Sequence, residues 1–307
     1  MRRAARSPEV RAFCDQVWPA LDAAAVVAEL LTDAAALARA ARGVLDEDEQ
    51  QLLLWPRSPR SVKSARWSAA DAVLVDEVGG LLERTPSFGH IVLDEAQDLS
   101  AMQYRAIARR SATGSLTVLG DLAQATSPWA TSDWQDSLRH LDKPDAVVRP
   151  LTVGYRVPGE VLDLANRLVA HLGVAVAPAT SLRRGHDALR LIRTDTLLAV
   201  ATDQAARLLC IEGTVGVITA DAAAPAVTAA LKAAGLDPQP VGTDSRLQVV
   251  PAGIAKGLEF DSVLVVEPAD IVDAEVRGLH RLYVVLTRAV SRLVVVHTRD
   301  LPTELTD

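Results

Sequence analysis

The chain has 307 residues, 49% of them hydrophobic, with a net charge of −7 and a pI of about 5.4. This length fits about two domains with ample core, and no apolar run reaches the ~20 residues of a membrane span. The acidic balance argues against tight, non-specific binding of nucleic acid by bulk electrostatics.

The basic start, Met1 to Arg6, runs into Ser7-Pro8-Glu9 where a secretory signal would need an apolar stretch. The two cysteines, Cys14 and Cys210, have no metal-type spacing and are expected to be buried thiols of a cytoplasmic protein. Residues 8–85 read as helical. Pro8 suits a first helical turn capped by Ser7, and Val10, Phe13, Val17 and Leu21 recur at helical steps, with Pro19 ending or kinking that helix. Val26, Leu30, Ala34 and Leu37 continue a helical face. Trp55 to Arg60, with two prolines and two arginines, is a loop. It opens a basic cluster, Arg57, Arg60, Lys63 and Arg66, which is either a solvated loop or a binding patch. Ser68 to Asp71 begins a further helix.

From residue 88 short apolar strands alternate with helices. The sequence predicts a buried strand at His90–Leu93, a helix at Ala101–Arg110 and a strand at Ser115–Leu119. It then predicts strands at 147–153, 189–193, 215–219, 247–250, 263–266 and 293–297, with helices at 158–172, 227–234 and 275–289. Such alternation implies an α/β fold, a mostly parallel sheet with helices on both faces. The polar, proline-bearing stretch Leu141–Asp145 marks a boundary.

Five strings carry chemistry. In Ile91-Val92-Leu93-Asp94-Glu95-Ala96-Gln97-Asp98 an apolar strand ends in adjacent carboxylates, the arrangement of a Walker B site. Asp94 would hold Mg²⁺ through its water shell and Glu95 would orient and deprotonate the attacking water. The string DEAQD resembles motif II of superfamily-one helicases of the UvrD/Rep kind. Leu119 to Thr126, GDLAQAT within it, resembles motif III; the likeness implies that Gln124 senses the γ-phosphate and that Trp129 stacks on a base. Trp129 also reads as a packing tryptophan in a turn beside Pro128. Leu151 to Pro158 resembles motif IV, which implies Tyr155 stacking on adenine and Arg156 acting as an arginine finger on the γ-phosphate. Ala255 to Asp261 resembles motif V, with Glu259 on the ribose, and Arg281 to Ala289 resembles motif VI, with Arg288 as a second γ-phosphate contact.

The resemblance spans about residues 90–300. It implies RecA-like domains of the P-loop NTPase type, with ATP and Mg²⁺ in the cleft between them. The expected organisation is a helical segment at 1–88, part of an N-terminal RecA-like domain at 89–145 (motifs II and III), and a C-terminal RecA-like domain at 146–307. The wording around GDLAQAT, the upstream helical region and the short interval between Pro158 and Ala255 resemble the HelD branch, ATPases that recycle bacterial RNA polymerase. A polymerase–nucleic-acid complex is then the implied partner. The sequence has no Gly-Lys pair, hence no phosphate-binding loop of the usual kind. A C-terminal part of a longer helicase-like ATPase, inactive alone, fits that gap better than a stand-alone remnant. A non-catalytic binding module and a DNA-repair helicase fragment are the alternative readings.

Overall fold

A computed structural model describes residues 7–185 and 187–306; the basic start Met1 to Arg6 lies outside them. The chain forms two compact units that do not follow chain order. The first comprises the chain through Leu93, Ser100–Thr117 and Ser137–Pro144; the second comprises Asp94–Leu99, Val118–Asp136 and the chain from Asp145 onward.

The first unit is mainly helical, with α1 (Pro8–Val17), α2 (Ala23–Thr32), α3 (Ala34–Ala40), α4 (Glu47–Leu53) and α5 (Ala69–Leu82). Side-chain caps start these helices as the sequence implies. Ser7 accepts from the Val10 amide, and Ser68 with Asp71 forms a reciprocal capping box on α5. Then come β1 (Ile91–Leu93), α6 (Ala101–Arg109) and β2 (Leu116–Val118), with β1 and β2 forming a two-stranded sheet. The predicted buried strand at 90–93 is corrected here, because Val92 is 62% exposed and its neighbours only half-buried. Two strands alone cannot cover both faces. Helices α5 and α6 are joined by ion pairs from Asp76 to Arg109 and Arg110, and from Glu77 to Arg105 and Arg109. The basic loop is braced by an edge-on contact of Trp55 and Trp67, ring centroids 5.3 Å apart. The thiol of Cys14 is exposed in this unit, as is that of Cys210 in the other, so the expectation of buried thiols fails for both.

Helix α7 (Trp134–His140) begins in the second unit and ends in the first. The second unit continues with β3 (Val153–Gly154), α8 (Gly159–Val169), β4 (Thr180–Ser181), β5 (Leu189–Arg193), α9 (Leu197–Leu209), β6 (Val215–Thr219), α10 (Ala224–Ala233), β7 (Leu247–Pro251), β8 (Phe260–Val266), α11 (Pro268–Asp273), α12 (Gly278–Leu286), β9 (Ala289–His297) and α13 (Thr303–Thr306). Five strands form one all-parallel sheet, in the order β5-β9-β8-β6-β7. Register pairs include Leu189 with Leu293, Val263 with Leu293, and Val215 with both Ser262 and Leu247.

Alternation along each strand divides the core in two. Ile218, Val263, Val265, Leu293 and Val295 pack with Val161, Leu168, Leu282 and Leu286 from α8 and α12. Val215, Val217, Leu264, Val266, Val294 and Val296 pack with Ala205, Leu208, Val227 and Leu231 from α9 and α10. Helices on both faces explain why β8 and β9 read as unbroken apolar runs. This is the parallel α/β arrangement expected of a RecA-like domain.

The predicted strand at 147–153 is reduced to β3, with Val147 and Leu151 exposed. Pro150 has no amide proton to give a ladder. The predicted helix at 275–289 shortens to α12. Its end is fixed by the Thr287 hydroxyl, which bonds back to the carbonyls of Tyr283 and Val284, and by Ala289, which already belongs to β9. Among the described residues, no helix is long and apolar enough to cross a membrane.

Candidate functional site

All five motif strings contribute side chains to the second unit. Motif II leaves β1 at Asp94, and Glu95 follows in a left-handed conformation, φ 51°. A non-glycine residue held there costs about 1–3 kcal/mol and marks an over-determined position. Three contacts fix it. The Glu95 amide donates to Asp94 Oδ1 at 2.8 Å, and Glu95 Oε2 accepts from Gln97 Nε2 at 2.6 Å and lies 3.2 Å from Lys256 Nζ. Gln97 is 1% exposed, and its carbonyl oxygen accepts from the Asp121 amide at 3.1 Å. One buried amide therefore couples motif II to motif III.

Motif III begins at Gly120, where a side chain would meet Gln97 Oε1 at 2.5 Å and the Trp134 ring at 2.6 Å. Only glycine fits. The Asp121 carboxylate accepts from the Ala123 amide and from Gln124 Nε2, both at 2.9 Å. Gln124 turns its other end to motif VI, with Oε1 accepting from Arg288 Nη2 at 3.0 Å. Arg277 holds the same loop through the carbonyls of Ala125 (3.0 Å) and Ala130 (2.6 Å).

Arg288 is 3% exposed. Its guanidinium also donates to the carbonyls of Val284 (3.0 Å) and Leu258 (3.3 Å). Burial, then the positive charge of Arg156, lower its pKa, while Glu259, Glu95 and Asp121 act the other way. The neighbouring Tyr283 phenol is pushed up by burial and by Asp121. Arg156 of motif IV is ion-paired with Glu259 of motif V, both partners roughly half exposed. Gly257, φ +78°, supplies the left-handed turn that separates Lys256 from Glu259 in motif V.

The structure thus bonds Gln124 to Arg288 and places Arg288 within electrostatic reach of Glu95, Arg156 and Glu259. Tyr155 is 70% exposed and lies free of the core. Trp129 is 55% exposed, its indole Nε1 bonded to the Asp98 carbonyl at 2.8 Å. The ring is fixed at its edge and open on its surface, so it is not a packing tryptophan. Sequence reasoning assigned no role to Gln97, Asp98, Lys256 or Arg277. The first three lie inside the quoted motif strings, which was the available signal; Arg277 had none.

Asp94 Oδ1 accepts from the Glu95 amide, and Glu95 Oε2 lies beside Lys256. Among the described residues, no group of three or more His, Cys, Asp or Glu side chains could hold a metal ion.

No protein-family model matches this chain, and no curated protein matches it. Among solved structures it is similar to the C-terminal domain of a possible DNA helicase from Lactobacillus plantarum WCFS1, at 26% identity, covering 50% of this chain and 92% of that one, with a TM-score of 0.39. It is also similar to arterivirus nonstructural protein 10, a helicase solved with DNA, at 19% identity and a TM-score of 0.39. That match covers 72% of this chain, which spans only 42% of the viral one.

Proposed function

We propose that the second unit is the phosphate-sensing half of a UvrD-like, helicase-type ATPase. In this reading Arg288, Arg156 and Gln124 receive the terminal phosphate of ATP, Glu259 faces the ribose, Tyr155 covers the adenine and Glu95 orients water. The observation that carries it is the bond between Gln124 and the buried Arg288, which links motif III to motif VI. A buried guanidinium that donates to a side-chain amide holds a charge-assisted donor ready for an anion. Arg156 is equally suited, because an exposed ion pair contributes only ~0–1 kcal/mol and its carboxylate is readily exchanged for phosphate.

The chain has no Gly-Lys phosphate loop, so it binds triphosphate weakly and does not hydrolyse it alone. Hydrolysis belongs to a complemented core. The test is titration of a fluorescent ATP analogue into the whole chain. Replacing Arg288 with Met removes a charged hydrogen bond of ~1.5–3 kcal/mol, a loss of roughly ten- to a hundredfold in affinity. Unchanged affinity in both Arg288→Met and Arg156→Ala would end this reading.

The partner proposed is a nucleic-acid complex of RNA polymerase, which the parent ATPase would remodel. The supports are the net charge of −7 and the short interval between motifs IV and V. Retention of bacterial RNA polymerase in a pull-down, with weak DNA binding at physiological salt, is the expected result. Sub-micromolar DNA binding without polymerase retention would favour a repair helicase instead.

A further inference from the structure

The ammonium of Lys256 sits where three oxygens from motifs II and III converge. It is ion-paired with Asp98, lies 3.2 Å from Glu95 Oε2, and donates to the Gln124 carbonyl at 3.0 Å. Its side chain is only 17% exposed. Two carboxylates and a backbone carbonyl around one point form the donor set of a hard cation. Here a cation belonging to the chain itself fills that point. The surrounding donors are committed as well: Asp98 Oδ1 accepts from the amides of Thr126 (3.1 Å) and Ser127 (3.2 Å), and Glu95 Oε2 from Gln97.

We propose that Lys256 is a tethered cation, closing this position to divalent metal ions and holding the motif II carboxylates against the motif III loop. The inference builds on the reading of motif II as part of the site, but not on nucleotide binding. A metal ion would have to displace an ammonium that is covalently attached and thus always present at high local concentration. Removing the charge leaves Glu95 and Asp98 facing one another uncompensated, and like charges so placed are relieved by taking up a cation.

The probe is Mn²⁺, titrated into the whole chain without nucleotide and followed by electron paramagnetic resonance of the free ion. The wild-type chain is expected to hold Mn²⁺ no tighter than roughly millimolar. Lys256→Met should gain a single site with roughly tenfold or higher affinity. Lys256→Arg should stay closed, and adding Asp98→Asn to Lys256→Met should abolish the gain. Equal Mn²⁺ affinity in the wild-type chain and Lys256→Met, or no gain in a folded Lys256→Met, overturns the proposal. Should Lys256→Met not fold, lysine acylation of the wild-type chain decides, read by mass spectrometry against the exposed Lys63 and Lys232. Slow modification of Lys256 that Mn²⁺ leaves unchanged supports the tethered cation. Faster modification on adding Mn²⁺ shows that the ion displaces the ammonium, and refutes it. Because triphosphate is absent from every arm, failure here is separate from failure of the ATP-binding reading.

Discussion

His280 sits in α12, the helix of motif VI, 7% exposed and with its Nε2 buried without a hydrogen-bond partner. Burial, and after it the positive charge of Arg277, keep the ring neutral and push its pKa from 6.5 to about 4. In the unfolded chain the ring takes up a proton near pH ~6.5. Between those values the unfolded state binds more protons than the folded one. Stability is therefore intact above pH 6.5, falls as the pH drops through the window, and reaches its full loss below about 4. At ~1.4 kcal/mol per pH unit the whole window amounts to about 3 kcal/mol, most of it lost by about pH 4.5. The comparison is between the wild-type chain and His280→Leu, an apolar residue that does not titrate. Urea denaturation of both at about pH 7 and about pH 4.5 cancels every other titrating group in the difference. The wild-type chain should lose about 2–3 kcal/mol more than the variant over that interval. Equal losses would show that His280 is protonated in the folded state, and would refute the reasoning.

Gly216 lies in β6, where a Cβ would run into the Phe260 ring on the adjacent β8; Gly216→Ala should cost ~1–3 kcal/mol by overpacking, seen as a lower melting temperature. Adding Phe260→Leu should recover part of it. Ser68→Ala removes the cap of α5 and should cost ~0.5–2 kcal/mol, read by amide hydrogen exchange confined to the first unit. Trp129→Ala should weaken binding of single-stranded nucleic acid by ~1–3 kcal/mol, measured by anisotropy, while Trp129→Phe should keep most of it. Indifference of the affinity to both changes would remove Trp129 from the interface.

The parallel sheet was legible because its strands are buried on both faces. Val263 to Val266 and Leu293 to Val296 admit no other reading once helices flank them. Strand β5, Leu189–Arg193, was predicted with its observed bounds. Helix α9 was not predicted, although Ala201, Ala205 and Leu208 recur at helical spacing on its buried face. The strand at 147–153 was over-read from its valines, although Pro150 forbids the ladder. Side-chain partners were harder still. The acidic string of motif II was visible, yet only three-dimensional packing shows that Lys256, more than a hundred and fifty residues later, neutralises it. The exposure of the two thiols was misjudged because cysteine is usually a small buried residue, and neither helix end that carries them is covered.

Strand β9, last in sequence among the five, lies inside the sheet between β5 and β8. On the ribosome this order has a cost in time. Residue 193 closes β5 long before residue 289 opens β9, an interval of roughly 5–20 s at ordinary synthesis rates. Throughout it β5 lacks the strand it pairs with, and once β8 has been made its edge, with Val263, Leu264 and Val265, stays open until β9 follows. Unpaired apolar edges are templates for wrong partners. The nascent chain is thus at its most aggregation-prone just before β9 is made, and a holding chaperone would find its best target in the half-made sheet at that moment.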